Sequence, residues 1–477
     1  MRAAIAIDAS STVPLHRQIY EAWRRGILTG RFRQGDRVPS SRELAKALRV
    51  SRSTVTQAYD QLFAEGYLQT SHGSGTFVRG DLHEHSLPAP AAPKASDAAP
   101  AIRLSRFGAR LQRDFVYAPQ PADHICFSRW TPDVQRFPIS LWRKLIARHL
   151  KAPTSAMLDY ARQSQGYEPL REQIAAYVSR SRAVHCTRDQ IVVLNGSQQA
   201  LELCARLLCD PGDVVAFEDP GYLGTRRIFE AEGLALRPAR VDEQGIVIDA
   251  IAKRARLVYV TPSHQFPTGV AMSLARRLEL LAWARKQNAV IIEDDYDSEY
   301  RYSGSPLPAL QGLAQDSPVI YCGTFSKVMF PALRIGYAVL PEALVAPFRR
   351  AKWLSDRSTP AIEQAALADF IAEGHLERHI RRMRRLYGER RAVLVESLER
   401  HFGSDIAILG EAAGMHLAVR TRDPGFEQRA KRNKVQIVST RDYYLGTPRA
   451  DEFLLGFSAL SERSIREGVR RLSRTTE

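Results

Sequence analysis

A long segment poor in large apolar residues divides this chain into two parts of unequal length. Residues 80–101 read GDLHEHSLPAPAAPKASDAAPA, a run dominated by proline and alanine. Such a segment buries too little apolar surface to offset the entropy of ordering it. A chain of 477 residues also exceeds what one hydrophobic core organises. The sequence therefore predicts domains at residues 1–80 and 104–477, joined by a flexible linker at 81–103.

Composition and charge indicate which binding partners and which cellular compartment to expect. The formal net charge of +16 favours a polyanionic partner such as nucleic acid. No stretch approaches ~18 uninterrupted apolar residues, and the first residues lack the layout of a signal peptide. We therefore expect a cytoplasmic protein with no membrane partner. The five cysteines form no CxxC pair and no Cys/His cluster, which favours free thiols over disulfides or a metal site.

The N-terminal part begins with a pattern of three helices. Apolar residues at helical spacing predict a first helix that ends near Gly30. Pro39-Ser40-Ser41 stops the chain and supplies cap hydroxyls for a short helix through Leu48. A turn at Val50-Ser51 leads into another helix, which ends at Gly66. The apolar residues that define the first and third helices are Leu15, Ile19, Trp23, Ile27, Val55, Ala58, Tyr59, Leu62 and Phe63.

A hairpin follows these helices, with predicted strands at Tyr67–Thr70 and Thr76–Arg79 around the glycine-rich loop SHGSG. Two short helices joined by a tight turn place the second helix in the DNA major groove, where hydroxyl and guanidinium groups bond phosphates and base edges. The alternative is an interaction module whose polar helix face is simply solvated.

Residues 12–79 resemble the GntR family of winged-helix regulators. The resemblance implies that Arg42, Arg52 and Thr54 touch DNA, and that the glycines of the wing approach the minor groove. Thr56 stands where some members of the family carry another arginine, so no base preference is carried over. The predicted DNA-contacting residues are Arg42, Ser51, Arg52, Ser53, Thr54, Thr56, Gly73 and Gly75.

Beyond the linker, short strands rich in valine and isoleucine alternate with helices. The strand-like runs are IVVLNG, DVVAF, ARLVYVTP, VIIEDD, VIYCGTFSK and RIGYAVL. This alternation predicts an α/β domain with a mostly parallel sheet. Ligands of such sheets bind outside the carboxyl ends of the strands, so the polar residues that follow these runs are expected to converge.

The residues at these strand ends suit an aldehyde cofactor with a pyridine ring. Lys327 follows a strand in GTFSK, and partial desolvation makes a lysine there a good imine-forming amine. Asp294, at the end of VIIED, is placed to pair with a protonated pyridine nitrogen. Tyr296 lies two residues later and reaches the phenolic oxygen of such a ring.

A phosphate site is predicted close by. Gly196-Ser197-Gln198 opens a helix after a strand, where free N–H groups and the helix dipole favour an anion. Thr324, Ser326 and Arg334 complete a phosphate cup. Tyr222, in EDPGY, offers an aromatic face for stacking on the ring. Each of these residues alone is a weak signal, and the specific signal is their combination in this order.

This region resembles the fold-type I aminotransferases, and nearly the whole chain resembles the MocR subfamily of GntR regulators. The resemblance implies a pyridoxal 5'-phosphate cofactor, with Lys327 as the Schiff-base lysine, Asp294 at the pyridine nitrogen and Tyr296 at the phenolic oxygen. Tyr160 matches the tyrosine that reaches the phosphate of the neighbouring subunit, which implies a head-to-tail homodimer. The expected fold is an N-terminal winged helix-turn-helix plus an α/β transferase domain of fold-type I with a smaller C-terminal α+β subdomain.

The loop beside the ring departs from the aminotransferase pattern. Aminotransferases usually carry Asn-Pro-Thr-Gly there, whereas residues 264–269 read HQFPTG. Phe266 cannot make the hydrogen bond of that asparagine. Two interpretations remain for His264: it substitutes for the asparagine beside the cofactor, or it is an ordinary loop histidine.

A second departure concerns the arginine that clamps a substrate carboxylate. In the late strand DEFLLGFSAL, Leu454 and Leu455 occupy its expected position, and a hydrocarbon side chain cannot replace a bidentate clamp. Arg441 or Arg449 could reach in from the preceding loop, although a surface position is favoured for each. The arginine-rich run HLERHIRRMRRLYGERR is interpreted as a solvated helix face.

These features predict a DNA-binding transcription regulator that senses a small molecule through Lys327 and has no catalytic residues of its own. The effector is pyridoxal phosphate itself, as in the PdxR group of the subfamily, or an amino-group compound. The alternative is an active pyridoxal-phosphate-dependent aminotransferase with a DNA-binding appendage, and a residual transaminase half-reaction stays open. The operator, the effector and the direction of regulation stay open too.

Overall fold

The computed structural model divides the chain into two compact units, residues 1–103 and residues 104–477. The ranges described by the structure are 5–8, 10–71, 74–79, 102–111, 121, 123–159, 164–304, 307–314, 318–410 and 413–474. Of the predicted linker at 81–103, residues 81–101 lie outside the described residues.

The N-terminal unit contains helices and a small sheet in the predicted order. Its elements are α1 (Leu15–Leu28), β1 (Arg37–Val38), α2 (Ser41–Leu48), α3 (Arg52–Ala64), β2 (Leu68–Ser71) and β3 (Gly75–Val78). The three strands form an antiparallel sheet in the order β1-β3-β2. The two predicted hairpin strands are confirmed with their bounds shifted by one residue, whereas β1 was missed because two residues carry no periodic pattern.

The core of this unit lies between α1 and α3. Ile19, Val55 and Leu62 are fully buried, and Trp23 is 2% exposed. The Trp23 ring packs on Phe32, with ring centroids 4.3 Å apart. The helical spacing of these apolar residues thus places one stripe of each helix inside.

The C-terminal unit alternates strands with helices, as the sequence predicted. Its helices are α4 (Arg106–Arg110), α5 (Ile139–Lys151), α6 (Ser155–Leu158), α7 (Glu168–Arg182), α8 (Ser197–Leu208), α9 (Leu223–Glu232), α10 (Leu274–Gln287), α11 (Leu310–Leu313), α12 (Glu342–Asp356), α13 (Ala361–Ala372), α14 (His375–Phe402), α15 (Phe426–Arg432) and α16 (Glu462–Ser473). Its strands are β4 (Ile125–Cys126), β5 (Ile191–Leu194), β6 (Val214–Asp219), β7 (Ala235–Asp242), β8 (Gly245–Ile246), β9 (Leu257–Val260), β10 (Val290–Asp295), β11 (Val319–Thr324), β12 (Gly336–Val339), β13 (Ile406–Leu409), β14 (His416–Thr421), β15 (Val435–Gln436), β16 (Val438–Ser439) and β17 (Glu452–Gly456).

The large sheet has the strand order β5-β12-β11-β10-β9-β6-β7-β8. Strands β11, β10, β9, β6 and β7 run parallel, in agreement with the prediction. Strand β12 is antiparallel to both β11 and β5, and β8 is antiparallel to β7. The sequence pattern did not predict β7, because Pro238 and its charged neighbours interrupt the apolar pattern of a buried strand.

Both faces of this sheet are covered, which explains its continuous apolar strands. Val193 and Tyr321 pack into a core on one face, and Val192 and Ile320 pack into a separate core on the other. Alternate residues of one strand therefore serve two different cores.

A second sheet forms the smaller C-terminal subdomain, with strand order β13-β14-β17-β16 and antiparallel pairing throughout. Residues of α14 and α16 are buried beside it. On α14, Arg381 and Arg385 are exposed as predicted. Arg390 is a correction to the solvated-face prediction, since it is 5% exposed and its Nη2 lies 2.8 Å from Asp133 Oδ2.

Candidate functional site

The N-terminal end of α3 presents a polar surface. Arg52, Ser53 and Thr56 are exposed, and Thr54 is half-buried. The guanidinium of Arg52 donates from Nε to the Ser41 hydroxyl at 3.2 Å, which connects α3 to the start of α2. This is the helix end that enters the major groove in helix-turn-helix proteins.

Hydroxyl groups at this helix end bond to their own helix. The Ser51 side chain accepts from the Thr54 backbone N–H at 3.1 Å and caps α3. Its oxygen also lies 2.8 Å from the Ser53 hydroxyl and 2.7 Å from the Thr54 hydroxyl. The Thr56 hydroxyl donates to the Arg52 carbonyl at 3.0 Å. These bonds define the start of the helix and its orientation.

Arg42 on α2 is exposed. In the hairpin, Gly75 has a φ of +118°, and a Cβ there would lie 3.3 Å from Nε of Arg37. The predicted wing contact Gly73 lies outside the described residues.

In the C-terminal unit, three strands bring the predicted cofactor residues to one edge of the large sheet. Gly336, at the start of β12, pairs with Thr324 at the end of β11 and with Leu194 at the end of β5. Asp294 on β10 pairs with Cys322 on β11. The turns after β5, β10 and β11 therefore lie side by side, as the strand-end argument predicted.

The residues predicted to hold a phosphate come together where α8 begins. Gly196 has a φ of +90°, and a Cβ there would lie 2.9 Å from Nη2 of Arg334, so the guanidinium lies directly against this glycine. Arg334 Nη2 donates to the Asn195 carbonyl at 2.8 Å. The Ser326 backbone N–H donates to the Thr324 hydroxyl at 3.1 Å, and the Ser326 hydroxyl is buried without a partner among the described residues. We call this group the anion cradle, defined by Gly196, Ser197, Thr324, Ser326 and Arg334.

The Asp294 carboxylate is buried, and one of its two oxygens has a hydrogen-bond partner among the described residues. Its Oδ2 accepts from the Tyr259 hydroxyl at 2.8 Å, while Oδ1 has no hydrogen-bond partner in the described part of the chain. Burial raises the pKa of Asp294 to about 7, against the lowering effect of the Tyr259 bond. A buried polar atom without a partner is costly, so this oxygen is suited to a donor from a bound group.

The Lys327 amine interacts electrostatically with this carboxylate. Its Nζ donates to the Trp130 carbonyl at 3.1 Å. Burial lowers the pKa of Lys327, and the charges of Asp297 and Asp294 oppose that shift. A lowered pKa increases the fraction of neutral amine, the form that attacks an aldehyde.

Tyr296 and His264 belong to one buried network. The Tyr296 hydroxyl lies 2.8 Å from His264 Nδ1, and both carboxylate oxygens of Asp297 lie 3.1 Å from the same nitrogen. Burial raises the pKa of Tyr296 well above its ordinary value. His264 is 1% exposed, so this network is shielded from solvent, and its role beside a cofactor stays a prediction.

Tyr222 and Gln198 meet across two elements. Gln198 Nε2, in the first turn of α8, donates to the Tyr222 hydroxyl at 3.2 Å. The Tyr222 ring meets Phe266 edge-on, with centroids 5.5 Å apart. The structure thus brings the described cofactor candidates to one edge of the sheet, whereas Tyr160 lies outside the described residues.

The late strand β17 separates its two leucines. Leu454 packs with Phe266 and Ala418 on the side of the Lys327 edge, and Leu455 belongs to the main core. The predicted loop arginines lie at the surface. Arg441 Nη1 is 3.7 Å from Glu427 and 49% of its side chain is exposed; Arg449 Nη1 is 3.8 Å from Glu452 and 53% is exposed.

Four residues of the site were not predicted from the sequence: Tyr259, Asp297, Trp130 and His416. Asp297 carries a weak signal, since it follows Asp294 and Tyr296 in the same strand-end run. Tyr259 lies inside a buried strand, and its hydroxyl meets Asp294 only because β9 pairs beside β10. Trp130 and His416 come from opposite ends of the domain sequence, and no local pattern connects them.

Among the described residues, no helix has the length and apolar character needed to span a bilayer. Nor does the described part of the chain contain a group of three or more His, Cys, Asp or Glu side chains able to hold a metal ion.

Comparisons with known proteins agree with this architecture. Residues 15–78 match the family of bacterial regulatory proteins, gntR family, and residues 135–472 match aminotransferase class I and II. The probable rhizopine catabolism regulatory protein MocR of Rhizobium meliloti is 38% identical, covering 98% of this chain and 95% of its own. The pyridoxine biosynthesis transcriptional regulator PdxR of Corynebacterium glutamicum is 32% identical over 97% of this chain and 96% of its own.

Solved aminotransferases show the same fold as the C-terminal unit. Alpha-aminoadipate aminotransferase LysN of Thermus thermophilus, solved with N-(5'-phosphopyridoxyl)-L-leucine, superposes with a TM-score of 0.70 at 28% identity, covering 78% of this chain and 96% of its own. Kynurenine aminotransferase of Pyrococcus horikoshii gives a TM-score of 0.69 at 28% identity, covering 74% of this chain and 90% of its own.

A helix-turn-helix unit and an aminotransferase-like unit on one chain define the class, a transcriptional regulator with an aminotransferase-like domain. Within that class, the chain belongs to the MocR subfamily of GntR regulators, as its similarity over nearly full length to MocR and PdxR shows.

Proposed function

We propose that this regulator binds pyridoxal phosphate at Lys327 and adjusts its DNA binding to a small molecule that reacts or competes at that site. The observation that carries the proposal is the Asp294 carboxylate, a buried acid with one unpartnered oxygen beside a lysine of lowered pKa. The structure of LysN adds support, since it was solved as a complex with a phosphopyridoxyl compound.

The residues present fit the cofactor at each of its polar groups. Asp294 Oδ1 is free to accept from the ring nitrogen, and the positive charge of a protonated ring would hold Asp294 ionised. The anion cradle supplies a helix N-terminus, a guanidinium and the unpartnered Ser326 hydroxyl to the phosphate. The Asp297 carboxylate only accepts, so His264 Nδ1 carries a proton, and the nearby Tyr296 hydroxyl keeps its own proton to donate to the phenolic oxygen.

When bound, pyridoxal phosphate supplies an aldehyde that condenses reversibly with amines. Lys327 provides the resident amine, and Asp297 orients His264 through its Nδ1 beside Tyr296. An effector amine that replaced Lys327 at the cofactor would leave the Lys327 amine free, with Asp294 and Asp297 as the charges that act on it. The changed bonding of Lys327 is the switch that we propose, with a population shift of the protein as its readout.

Two effectors fit the proposal: an amino-group compound, or pyridoxal phosphate itself. The second would need no carboxylate clamp, in keeping with Leu454. The subunits are proposed to form a head-to-tail homodimer in which Tyr160 serves the neighbouring site. Two copies of α3 would then contact the two half-sites of an operator. The residues nearest the DNA would be Arg42, Arg52, Ser53 and Thr54.

Sensing without turnover is preferred over aminotransferase activity. The regulators MocR and PdxR are matched over nearly their whole length. In addition, Leu454 offers no charge to hold an amino-acid substrate. Multiple-turnover transamination with a panel of amino acids would contradict this preference, whereas a single half-reaction would be compatible with it.

The proposal is tested with Lys327→Ala and a matched control, Lys286→Ala, which removes an exposed lysine from α10. Each protein is incubated with pyridoxal phosphate, its visible absorption is recorded, and borohydride is added before peptide mapping. We expect Lys327→Ala alone to lose the absorption and the borohydride-fixed label. A label on other lysines but not on Lys327 would overturn the cofactor assignment. An unchanged response of DNA binding to pyridoxal phosphate in Lys327→Ala would overturn the sensing role.

A further inference from the structure

One wall of the Lys327 site comes from the small C-terminal sheet. His416 pairs with Gly456, and Ala418 pairs with Leu454, so these residues share one face of strands β14 and β17. Leu454 is fully buried and packs with Ala418 and Phe266. This face packs against Phe266, in the loop at residues 264–269.

The remaining surface of this wall is aromatic. Trp130 accepts from Lys327 Nζ through its carbonyl, and its ring centroid lies 5.8 Å from Phe266 and 5.6 Å from His416. Tyr443 meets Phe266 edge-on at 5.2 Å. We call Trp130, Phe266, His416, Tyr443 and Leu454 the aromatic wall.

His416 contributes a hydrogen-bond acceptor to the aromatic wall. His416 is 1% exposed, and its Nε2 lies 3.1 Å from the Pro267 carbonyl oxygen. A carbonyl only accepts, so Nε2 carries the proton and Nδ1 carries the lone pair. Burial lowers the pKa of His416 to about 3, which keeps the imidazole neutral near pH 7. Nδ1 has no partner among the described residues, so it is available to a ligand donor.

Three arginines of this subdomain pair with carboxylates. Arg420 Nη2 lies 2.8 Å from Glu452, and Arg449 Nη1 lies 3.8 Å from the same side chain. Arg441 pairs with Glu427 at 3.7 Å. At the Leu454 and His416 part of the aromatic wall, a ligand carboxylate would meet a hydrocarbon side chain and an imidazole lone pair. Burying an anion without a partner is strongly unfavourable.

We infer that the aromatic wall selects an amine with no carboxylate on the carbon that bears the amino group, with an apolar or aromatic body and a hydrogen-bond donor directed at His416 Nδ1. The inference names the ligand class of the proposed function and rests on it. It assigns the choice of ligand to Leu454 and His416, two positions that contact neither the anion cradle nor Asp294 in the described hydrogen bonds.

The first test compares each amine with its carboxylated counterpart. The full-length protein loaded with pyridoxal phosphate is titrated with phenethylamine and with L-phenylalanine, and the visible spectrum is followed. We expect phenethylamine to bind at least tenfold more tightly. The variant Leu454→Arg restores a carboxylate clamp, so the preference should reverse in favour of L-phenylalanine. Equal or tighter binding of L-phenylalanine by the wild type would overturn the inference, and so would no response to either compound.

The second test concerns His416. We expect 2-amino-1-phenylethanol, which adds a hydroxyl donor, to bind about fivefold or more tightly than phenethylamine. His416→Phe keeps a ring but removes the acceptor, so the two amines should bind alike. Phenethylamine binding by the same variant shows that the site has folded. An undiminished preference in His416→Phe would overturn the role of Nδ1. The cofactor spectrum before titration separates these failures from a failure of pyridoxal phosphate binding itself.

Discussion

Lys352 donates to both carboxylate oxygens of Asp356, at 2.9 Å each, from a fully buried position one helical turn earlier on α12. The same carboxylate accepts from Asn195 Nδ2 at 2.5 Å and from Gln199 Nε2 at 2.8 Å. Asn195 and Gln199 flank the residue that opens α8. The Lys352–Asp356 pair therefore fixes Asn195 and Gln199, the residues on either side of the start of α8. It supports the anion cradle through these two residues and is not one of the groups proposed to bind the phosphate.

We predict that Lys352→Met destabilises the C-terminal unit by about 3 kcal/mol, because it leaves the Asp356 carboxylate without its buried counter-charge. Pyridoxal phosphate affinity should fall as well, since Asn195 and Gln199 lose a rigid acceptor. The control is Lys431→Met, which breaks a surface pair with Glu427 of the same spacing and a length of 2.8 Å, and should cost under about 1 kcal/mol. Urea unfolding and spectral titration measure both quantities. Equal effects of the two substitutions would contradict a positioning role.

Tyr259→Phe should weaken cofactor binding about tenfold. The Tyr259 hydroxyl bond lowers the pKa of Asp294, so its loss raises that pKa further and leaves less carboxylate for the ring nitrogen. Tyr321→Phe is the matched control, because the Tyr321 hydroxyl bonds the neighbouring acid Asp295 at 2.7 Å. Spectral titration with pyridoxal phosphate should leave the control within about twofold of wild type. Similar losses in both variants would show a packing effect and count against the assignment of Asp294.

Glu218 should make the C-terminal unit less stable as the pH rises. Burial raises its pKa from 4.5 to about 7, while Thr261 and Gln265 bond one of its oxygens. Between these two values the folded state keeps a proton that the unfolded state has released, so stability falls with increasing pH. Glu218→Gln removes the titration, and its stability relative to wild type should rise by up to about 3 kcal/mol from about pH 4.5 to above about pH 7. Urea unfolding of the cofactor-free proteins at both ends of this range measures the difference, and parallel pH curves would contradict the prediction.

Arg52→Ala should weaken binding to the duplex that the wild-type protein selects from a random-sequence pool by about 1–3 kcal/mol. Arg52 is exposed at the start of α3, where direct contact with DNA is expected. Arg17→Ala removes an arginine of the same unit that pairs with Glu21 at 3.2 Å on α1, and should change the affinity by less than about twofold. Electrophoretic mobility shifts at fixed salt provide the measurement. Equal losses would indicate that only net charge matters.

Much of the DNA-binding unit and the cofactor end of the sheet could be predicted from short stretches of sequence. Helical spacing of apolar residues located α1 and α3, and Ser40 caps α2 as expected. Lys327 was found because it follows a buried strand and Asp294 because it lies at the end of another, and neighbouring parallel strands end at the same edge. These features depend on residues close together in the chain, where periodicity and strand order carry the information.

Other features required the folded chain. Period-two alternation predicts that Leu454 and Leu455 point to opposite faces, but only the packing of β17 shows that Leu454 lies against Phe266. His416 and Trp130 meet although nearly the whole domain sequence separates them, and Tyr259 bonds Asp294 only through the pairing of two strands. Local sequence specifies helices, turns and strand ends through backbone and side-chain preferences. Which side chains share a buried site depends on long-range packing, and in this protein that packing decides which groups surround Lys327.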